Sequence, residues 1–97
     1  QLNSLDLSNN YLLDYLSCEK NKIGSIDTSN NPLLWHFVCF DNEITSLDVS
    51  GIERLGTFDC SMNPLSCIQV SQDQLDTSID SEYWLKDDFA EWSLECN

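Results

Sequence analysis

Apolar residues recur along this chain at a fixed spacing of 21 residues, and the register does not slip over three consecutive segments. These segments run from residue 2 to 22, from 23 to 43 and from 44 to 64. Each contains two short stretches in which apolar and polar residues alternate, the pattern of a strand with one buried face. A constant period of about 20 to 30 residues is typical of a solenoid, whose coils bury their apolar faces against one another. The chain is therefore predicted to be mostly β.

Several columns of equivalent residues carry this period. The apolar and cysteine columns point inward by strand alternation. The asparagines fall at the corners between strands, where an amide can satisfy backbone groups of its own and adjacent coils. We therefore predict that the Cys and Asn columns are structural ladders, whereas columns that vary are free to recognise something. The repeating columns are Leu5, Ile26 and Leu47; Leu16, Phe37 and Phe58; Cys18, Cys39 and Cys60; and Asn21, Asn42 and Asn63.

The five cysteines divide into two classes. Cys18, Cys39 and Cys60 share the inward column, about 4.8 Å apart along the sheet, and neighbouring rungs that point the same way have poor disulfide geometry. Cys67 instead takes a position that Ser occupies in the earlier coils and that should face water, and Cys96 remains as its partner. We predict a Cys67–Cys96 disulfide and three buried free thiols. Such a disulfide suits an oxidising compartment.

The period stops after Val70, where the composition changes. Residues 1–70 are predicted to form the coils, with a partial fourth coil at 65–70, and residues 71–97 a C-terminal capping segment closed by the disulfide. Apolar side chains of this segment can cover the last coil while its acids keep the outer surface wet. Because the chain begins at Gln1 in phase with the repeat, we expect it to be a piece of a longer protein. The aromatic residues of the capping segment are Tyr83, Trp84, Phe89 and Trp92.

The stretch from Leu34 to Ile44 reads L-x-x-L-x-C-x-x-N-x-L, with Phe37 at one of the Leu positions. The pattern recurs from Leu13 and from Leu55, and alternates with the motif S-L-D-V-S, best seen at residues 46–50. These motifs resemble the cysteine-type repeats of bacterial leucine-rich repeat proteins, especially surface proteins of Bacteroidota. The C-I-Q-V strand at residues 67–70, followed by an aromatic segment ending in Cys, is similar to the terminal part of flavobacterial members. The resemblance implies a leucine-rich repeat solenoid outside the cell or on its surface, and leaves the ligand open.

The net charge of −13, from 17 acidic and four basic residues, argues against nucleic acid and anionic membranes as partners. The chain has no apolar run long enough to insert into a bilayer. Asp6, Asp27 and Asp48 form a stacked column between Ser columns. Stacked carboxylates repel, and either Ser hydroxyls with water or a bound Ca²⁺ could relieve that repulsion. We favour the hydroxyls, and keep a cation-binding solenoid as a third alternative.

Candidates for catalysis are few. His36 is the only histidine, and no Ser or Cys has a base at a recognisable spacing. Cys39 should point inward and His36 outward, so strand alternation argues against a Cys/His pair. The Cys column offers no paired C-x-x-C ligands for a tetrahedral metal. We therefore predict that the protein is not an enzyme and needs neither cofactor nor metal.

The outward positions around the Cys strand differ from coil to coil. In the second coil they are aromatic and apolar, and they lie beside an aromatic residue of the first coil. An exposed aromatic cluster rimmed by acids is a candidate contact site, unless another part of the parent protein covers it. We predict a secreted or cell-surface module that binds a protein or glycan there; the alternative is a structural subunit or terminal fragment of a larger surface assembly. The predicted contact residues are Tyr15, Trp35, His36, Val38 and Phe40.

Overall fold

The computed structural model describes residues 3–96, so Gln1 and Leu2 at the start of the first predicted coil, and Asn97 at the end of the predicted capping segment, lie outside the described residues. The chain is a mostly β, parallel-sheet solenoid of about 4 turns with coils of about 21 residues, which confirms the predicted fold class. Its elements, in chain order, are β1 (Tyr15–Ser17), β2 (His36–Val38), β3 (Leu47–Asp48), β4 (Thr57–Asp59), β5 (Cys67–Gln69), α1 (Gln72–Thr77), β6 (Trp84–Leu85) and β7 (Glu91–Ser93).

Two parallel sheets enclose the core. One has four strands in the order β1-β2-β4-β6, and the other has three in the order β3-β5-β7. Each coil places one strand in a sheet and then returns to start the next strand beside it, which makes every pair parallel. In the first pair Leu16 lies opposite Phe37, and in the second Phe37 lies opposite Phe58. The sheet register therefore has the same 21-residue step as the sequence.

The inward columns form one continuous core. Phe37 and Phe58 are both fully buried, and their rings stack with centroids 5.5 Å apart. Burying an aromatic or aliphatic side chain of this size stabilises the fold by about 1.5 to 3 kcal/mol. The equivalent residues of the first coil, Leu5, Leu13 and Leu16, pack against this core but are only partly buried. Burial thus increases from the first coil to the second.

Asparagine side chains join the coils at one corner. Asn42 Nδ2 donates to the carbonyl of Cys39 at 3.0 Å and, in the preceding coil, to that of Cys18 at 3.1 Å. Its Oδ1 accepts from a backbone N–H of the preceding coil at 3.0 Å. Asn63 repeats all three bonds one coil later, and Asn21 Nδ2 donates to the Cys18 carbonyl at 2.9 Å. One amide thus satisfies backbone groups of two coils.

The residue before each of these asparagines has a left-handed backbone. The φ angles are 62° at Lys20, 60° at Asp41 and 58° at Met62. A residue other than Gly in this region costs roughly 1 to 2 kcal/mol. The conformation is held by hydrogen bonds between coils, since Lys20 N donates to Phe40 O at 3.0 Å and Asp41 N donates to Ser61 O at 3.1 Å.

The predicted capping segment contributes strands to both sheets. β6 pairs with β4 and β7 pairs with β5, so residues 84–93 add a further rung to each sheet. Trp84 lies opposite Phe58, 26 residues away, and Trp92 lies opposite Ile68, 24 residues away. The two indole rings contact each other at 5.6 Å, and both contact the Phe58 ring. The aromatic side chains foreseen in this segment therefore fill the end of the core.

The extra residues of this last coil form the short helix α1. Ser71 and Gln74 make a capping box, in which Ser71 Oγ accepts from Gln74 N at 3.1 Å and Gln74 Oε1 accepts from Ser71 N at 2.9 Å. Gln74 is 4% exposed, and its Nε2 donates to the carbonyls of Val49 at 2.9 Å and Ile52 at 3.0 Å. A glutamine of the helix thus satisfies corner carbonyls of the third coil.

A Cys67–Cys96 disulfide, with Cα atoms 5.7 Å apart, ties the residues after β7 to strand β5. The predicted pairing is confirmed. Cys18, Cys39 and Cys60 are free and buried.

Candidate functional site

The outward side chains of the four-stranded sheet form the surface that differs most between coils, and we call this surface the variable face. Alternation along a strand turns every second residue outward, and the inward Phe37 is fully buried. The variable face carries all the predicted contact residues. Tyr15 is 52% and Trp35 47% exposed, whereas the remaining three are partly buried: His36, Val38 and Phe40.

Three rings of the variable face contact one another. Tyr15 and His36 are partners in the β1–β2 register, and their rings stack with centroids 4.1 Å apart and planes 1° apart. Trp35 meets both rings edge to face, with centroids 6.0 Å from Tyr15 and 5.5 Å from His36. Offset stacks and edge-to-face pairs are the arrangements that aromatic rings prefer. The rings therefore hold one another in place while Tyr15 and Trp35 stay accessible.

The backbone beneath this cluster is bonded on both sides. Trp35 N donates to the carbonyl of Asp14 in the first coil at 2.9 Å. The carbonyl of Trp35 accepts from Gly56 N at 2.9 Å and Thr57 N at 3.0 Å in the third coil. Gly56 is the equivalent of Trp35 one coil later, so it adds no side chain beside the indole. Trp35 is thus presented from a well-ordered position between two coils.

Two further residues of the variable face were missed by the sequence analysis. The carbonyls of Tyr83 and Leu85 accept from Phe58 N at 2.9 Å and Cys60 N at 3.0 Å, which places strand β6 beside β4. Trp84 between them points inward and is 5% exposed. Tyr83 is 59% and Leu85 48% exposed, and both extend the apolar surface by one strand. Alternation around an inward tryptophan was the available signal, but the 21-residue spacing does not reach it.

The charged groups on the variable face are acidic. Glu19 follows β1, and its Oε1 accepts from Ser17 Oγ at 2.7 Å. This hydroxyl is the main reason that the pKa of Glu19 is lowered, and Lys20 and His36 contribute smaller favourable charges. On β4, Asp59 Oδ1 accepts from the N–H and hydroxyl of Ser61 at 3.1 Å and 2.7 Å. Both carboxylates are thereby oriented.

The ladder thiols lie on the opposite side of the strands from the variable face. Cys39 is fully buried, whereas the His36 ring stacks on Tyr15. Burial raises the pKa of Cys18 to about 11, that of Cys60 to about 12 and that of Cys39 well above its usual value. A thiol is nucleophilic or metal-binding only as the thiolate, so these three groups are held in the unreactive form at neutral pH.

The Asp column occupies the other sheet surface, which we call the Ser-Asp-Ser face. In each of the first three coils the aspartate Oδ1 accepts from the backbone N–H of the serine two residues later, at 2.9 to 3.0 Å. The hydroxyls of Ser8 and Ser50 also donate to it at 2.6 Å. Hydrogen bonds from the serines, first from the hydroxyl, lower the pKa of Asp6 and of Asp27. One carboxylate oxygen of each aspartate therefore closes a local turn.

The largest cavity lies on the Ser-Asp-Ser face. Its volume is about 490 Å³, and its polar lining includes Asp27, Asp48 and Gln69 together with Cys96 of the disulfide. Among residues 3–96, no group of three or more His, Cys, Asp or Glu side chains is arranged to hold a metal ion. The cavity therefore offers hydroxyls and carboxylates that repeat from coil to coil.

No helix within residues 3–96 is both long enough and apolar enough to cross a membrane. Comparisons with protein-family models, curated proteins and solved structures found no match to this chain. The functional argument therefore rests on the geometry of the molecule, in which the variable face is the surface with coil-specific side chains.

Proposed function

We propose that this protein is a non-catalytic recognition module that binds a protein or a glycan through the variable face. The observation that carries the proposal is the contact cluster of Tyr15, Trp35 and His36, whose two outer rings remain about half exposed. Aromatic side chains on a rigid sheet offer a large apolar area at low entropic cost, and binding energy concentrates on such residues. A protonated thiol ladder and a stacked histidine support a role without catalysis.

The proposed location is outside the cell or on a bacterial cell surface. The Cys67–Cys96 disulfide supports it, because disulfides persist in oxidising compartments. The L-x-x-L-x-C-x-x-N-x-L motif supports the finer proposal that the solenoid is a leucine-rich repeat of the cysteine type, similar to surface proteins of Bacteroidota.

The test of this proposal is a variant that removes the aromatic surface and keeps the charge. Trp35→Ser combined with Phe40→Ser should weaken binding to any glycan-array or peptide-library hit at least tenfold, since hot-spot truncations cost about 2 kcal/mol or more each. Because Phe40 is partly buried, the urea midpoint of the double variant must be compared with wild type before binding is scored.

Two controls locate the site. Phe89→Ser removes a 65% exposed aromatic side chain outside the variable face, and should leave binding unchanged. Asp27→Ala with Asp48→Ala alters the Ser-Asp-Ser face and should also bind normally. If this second control loses the partner, or if wild type loses it only when Ca²⁺ is chelated, while the Trp35/Phe40 variant binds, the site is on the Ser-Asp-Ser face and the proposal fails.

A structural role is the second candidate, and one observation favours it. Leu5, Leu13 and Leu16 of the first coil are only partly buried, whereas their equivalents in the second coil are 8% exposed or less. A fixed subunit packed on that side would cover the remaining apolar surface. Copurification separates the two roles, because a stoichiometric partner that resists high salt indicates a subunit and a transient partner indicates a recognition module.

A further inference from the structure

The variable face combines aromatic rings with carboxylates, and the outward positions of its four strands hold neither Lys nor Arg. We propose that its ligand is a cationic polypeptide segment, whose Arg or Lys side chains lie on Tyr15 and Trp35 and pair with Glu19 and Asp59. This inference rests on the proposed function and narrows it to one class of partner.

The spacing of a parallel sheet brings the two kinds of group within reach of one ligand side chain. Outward residues on one strand are roughly 7 Å apart, and neighbouring strands are about 4.8 Å apart. A cation is attracted to an aromatic ring when it lies within about 6 Å of the centroid. A guanidinium on the Tyr15 or Trp35 ring is therefore close enough to the next outward rows for contact with a carboxylate. The hydroxyls of Ser17 and Ser61 already orient Glu19 and Asp59.

Desolvation decides between a cationic and a neutral ligand. Any ligand that covers the aromatic cluster also removes water from neighbouring carboxylates, and a buried charge without a counter-charge is costly. A neutral glycan would gain the ring contact and leave Glu19 and Asp59 uncompensated. A cationic segment gains both interactions, and the net charge of −13 attracts it from a distance.

The probe is a random-peptide display library selected on the immobilised protein, together with a panel of neutral oligosaccharides. Three double variants are compared with wild type. E19Q/D59N removes two charges from the variable face, D27N/D48N removes two charges from the Ser-Asp-Ser face, and W35S/F40S keeps the net charge. Each Asn or Gln retains an oxygen that can accept the local serine hydrogen bond, so the folds stay comparable.

We expect the enriched peptides to be rich in Arg or Lys and to bind wild type and D27N/D48N equally. Their affinity should fall about tenfold or more for E19Q/D59N and be lost for W35S/F40S. Raising NaCl from about 0.05 M to about 0.5 M should weaken wild-type binding at least about tenfold, because the pairs lie near solvent.

Other outcomes overturn the inference and separate its failure from that of the proposed function. Cationic peptides that bind W35S/F40S as well as wild type would report bulk charge alone, and the inference would fail. Neutral oligosaccharides that bind wild type and not W35S/F40S, in the absence of cationic hits, would overturn the cationic ligand and leave the recognition face intact. Hits that bind all three double variants unchanged would overturn both proposals.

Discussion

At the scale of single residues, corner amides and outward carboxylates have opposite energetic roles even though both repeat every 21 positions. Asn42 is 7% exposed and bonds backbone groups of two coils. Asp48 is exposed and bonds only the serine two residues later. A buried group that loses its partner costs roughly 1 to 3 kcal/mol, whereas an exposed group can turn to water.

Asn42→Ala should therefore destabilise the protein more than Asp48→Ala. We expect a loss of at least about 2 kcal/mol for the first, because several buried backbone groups lose their partner, and less than about 1 kcal/mol for the second. Urea unfolding of both variants measures the difference. Comparable midpoints would show that the amide column does not hold the corners together.

The buried thiols predict how stability responds to alkaline pH. The pKa of Cys60 is raised from 9.0 to about 12 by burial, so above pH 9 the unfolded chain releases this proton and the folded chain retains it. The contribution is fully present below pH 9 and is lost as the pH rises toward 12. Its slope approaches about 1.4 kcal/mol per pH unit for one proton.

Cys60→Ala is the matched control for this prediction. The free energy of unfolding, measured by urea titration at several pH values above 9, should fall less steeply in this variant than in wild type. Equal slopes would mean that the Cys60 thiol titrates alike in the folded and unfolded chain.

At the scale of elements, the last coil departs from the others because a helix replaces a plain corner. The insertion moves Trp84 to 26 residues after Phe58, its partner across the sheet. The inward position is still filled by a large apolar side chain, so packing is preserved while spacing is not. Coils of constant length could be predicted from the sequence because the same contacts recur at the same interval. The strand β6, and with it Tyr83, could not, because its position depends on how many residues α1 takes up.

The Glu91–Ser93 strand β7 lies at the edge of its sheet, and the adjacent disulfide should stabilise it. Replacing Cys96 with Ser opens a loop whose ends are 29 residues apart, which should cost about 3 kcal/mol by the loop-entropy account. Hydrogen exchange should show β7 opening earlier than β2 in this variant.

Mass mapping without reductant and a second variant complete that test. Cys67→Ser should reproduce the effect of Cys96→Ser, and the two changes together should add nothing further. A crosslink between any two of Cys18, Cys39 and Cys60 would contradict the assignment of these residues as free thiols.

At the scale of the whole molecule, the dominant property is an acidic surface with few compensating bases. The chain carries 17 acidic and four basic residues, and the stacked Asp columns place like charges about 4.8 Å apart. The serine hydrogen bonds orient these carboxylates without neutralising them. Self-repulsion on this scale opposes the compact state.

Added salt should therefore stabilise the protein. Screening of about 1 kcal/mol would raise the midpoint of thermal unfolding by roughly 4 to 8 °C for a domain of this size. The double variant Asp27→Asn/Asp48→Asn should begin with a higher midpoint and respond less to NaCl. A midpoint that does not change with salt in either protein would show that the acidic columns are already screened in the folded state.

The parallel register also determines which changes of length the chain can accept during evolution. Because each strand of the first coils pairs with residues 21 positions away, deleting one residue inside a strand would turn its inward side chains to the outside. Whole repeats can be duplicated or lost without that penalty, since every coil presents the same edges. Single insertions are tolerated at corners, as α1 between β5 and β6 illustrates. Relatives of this protein should therefore differ by multiples of one coil, or by loops at the corners.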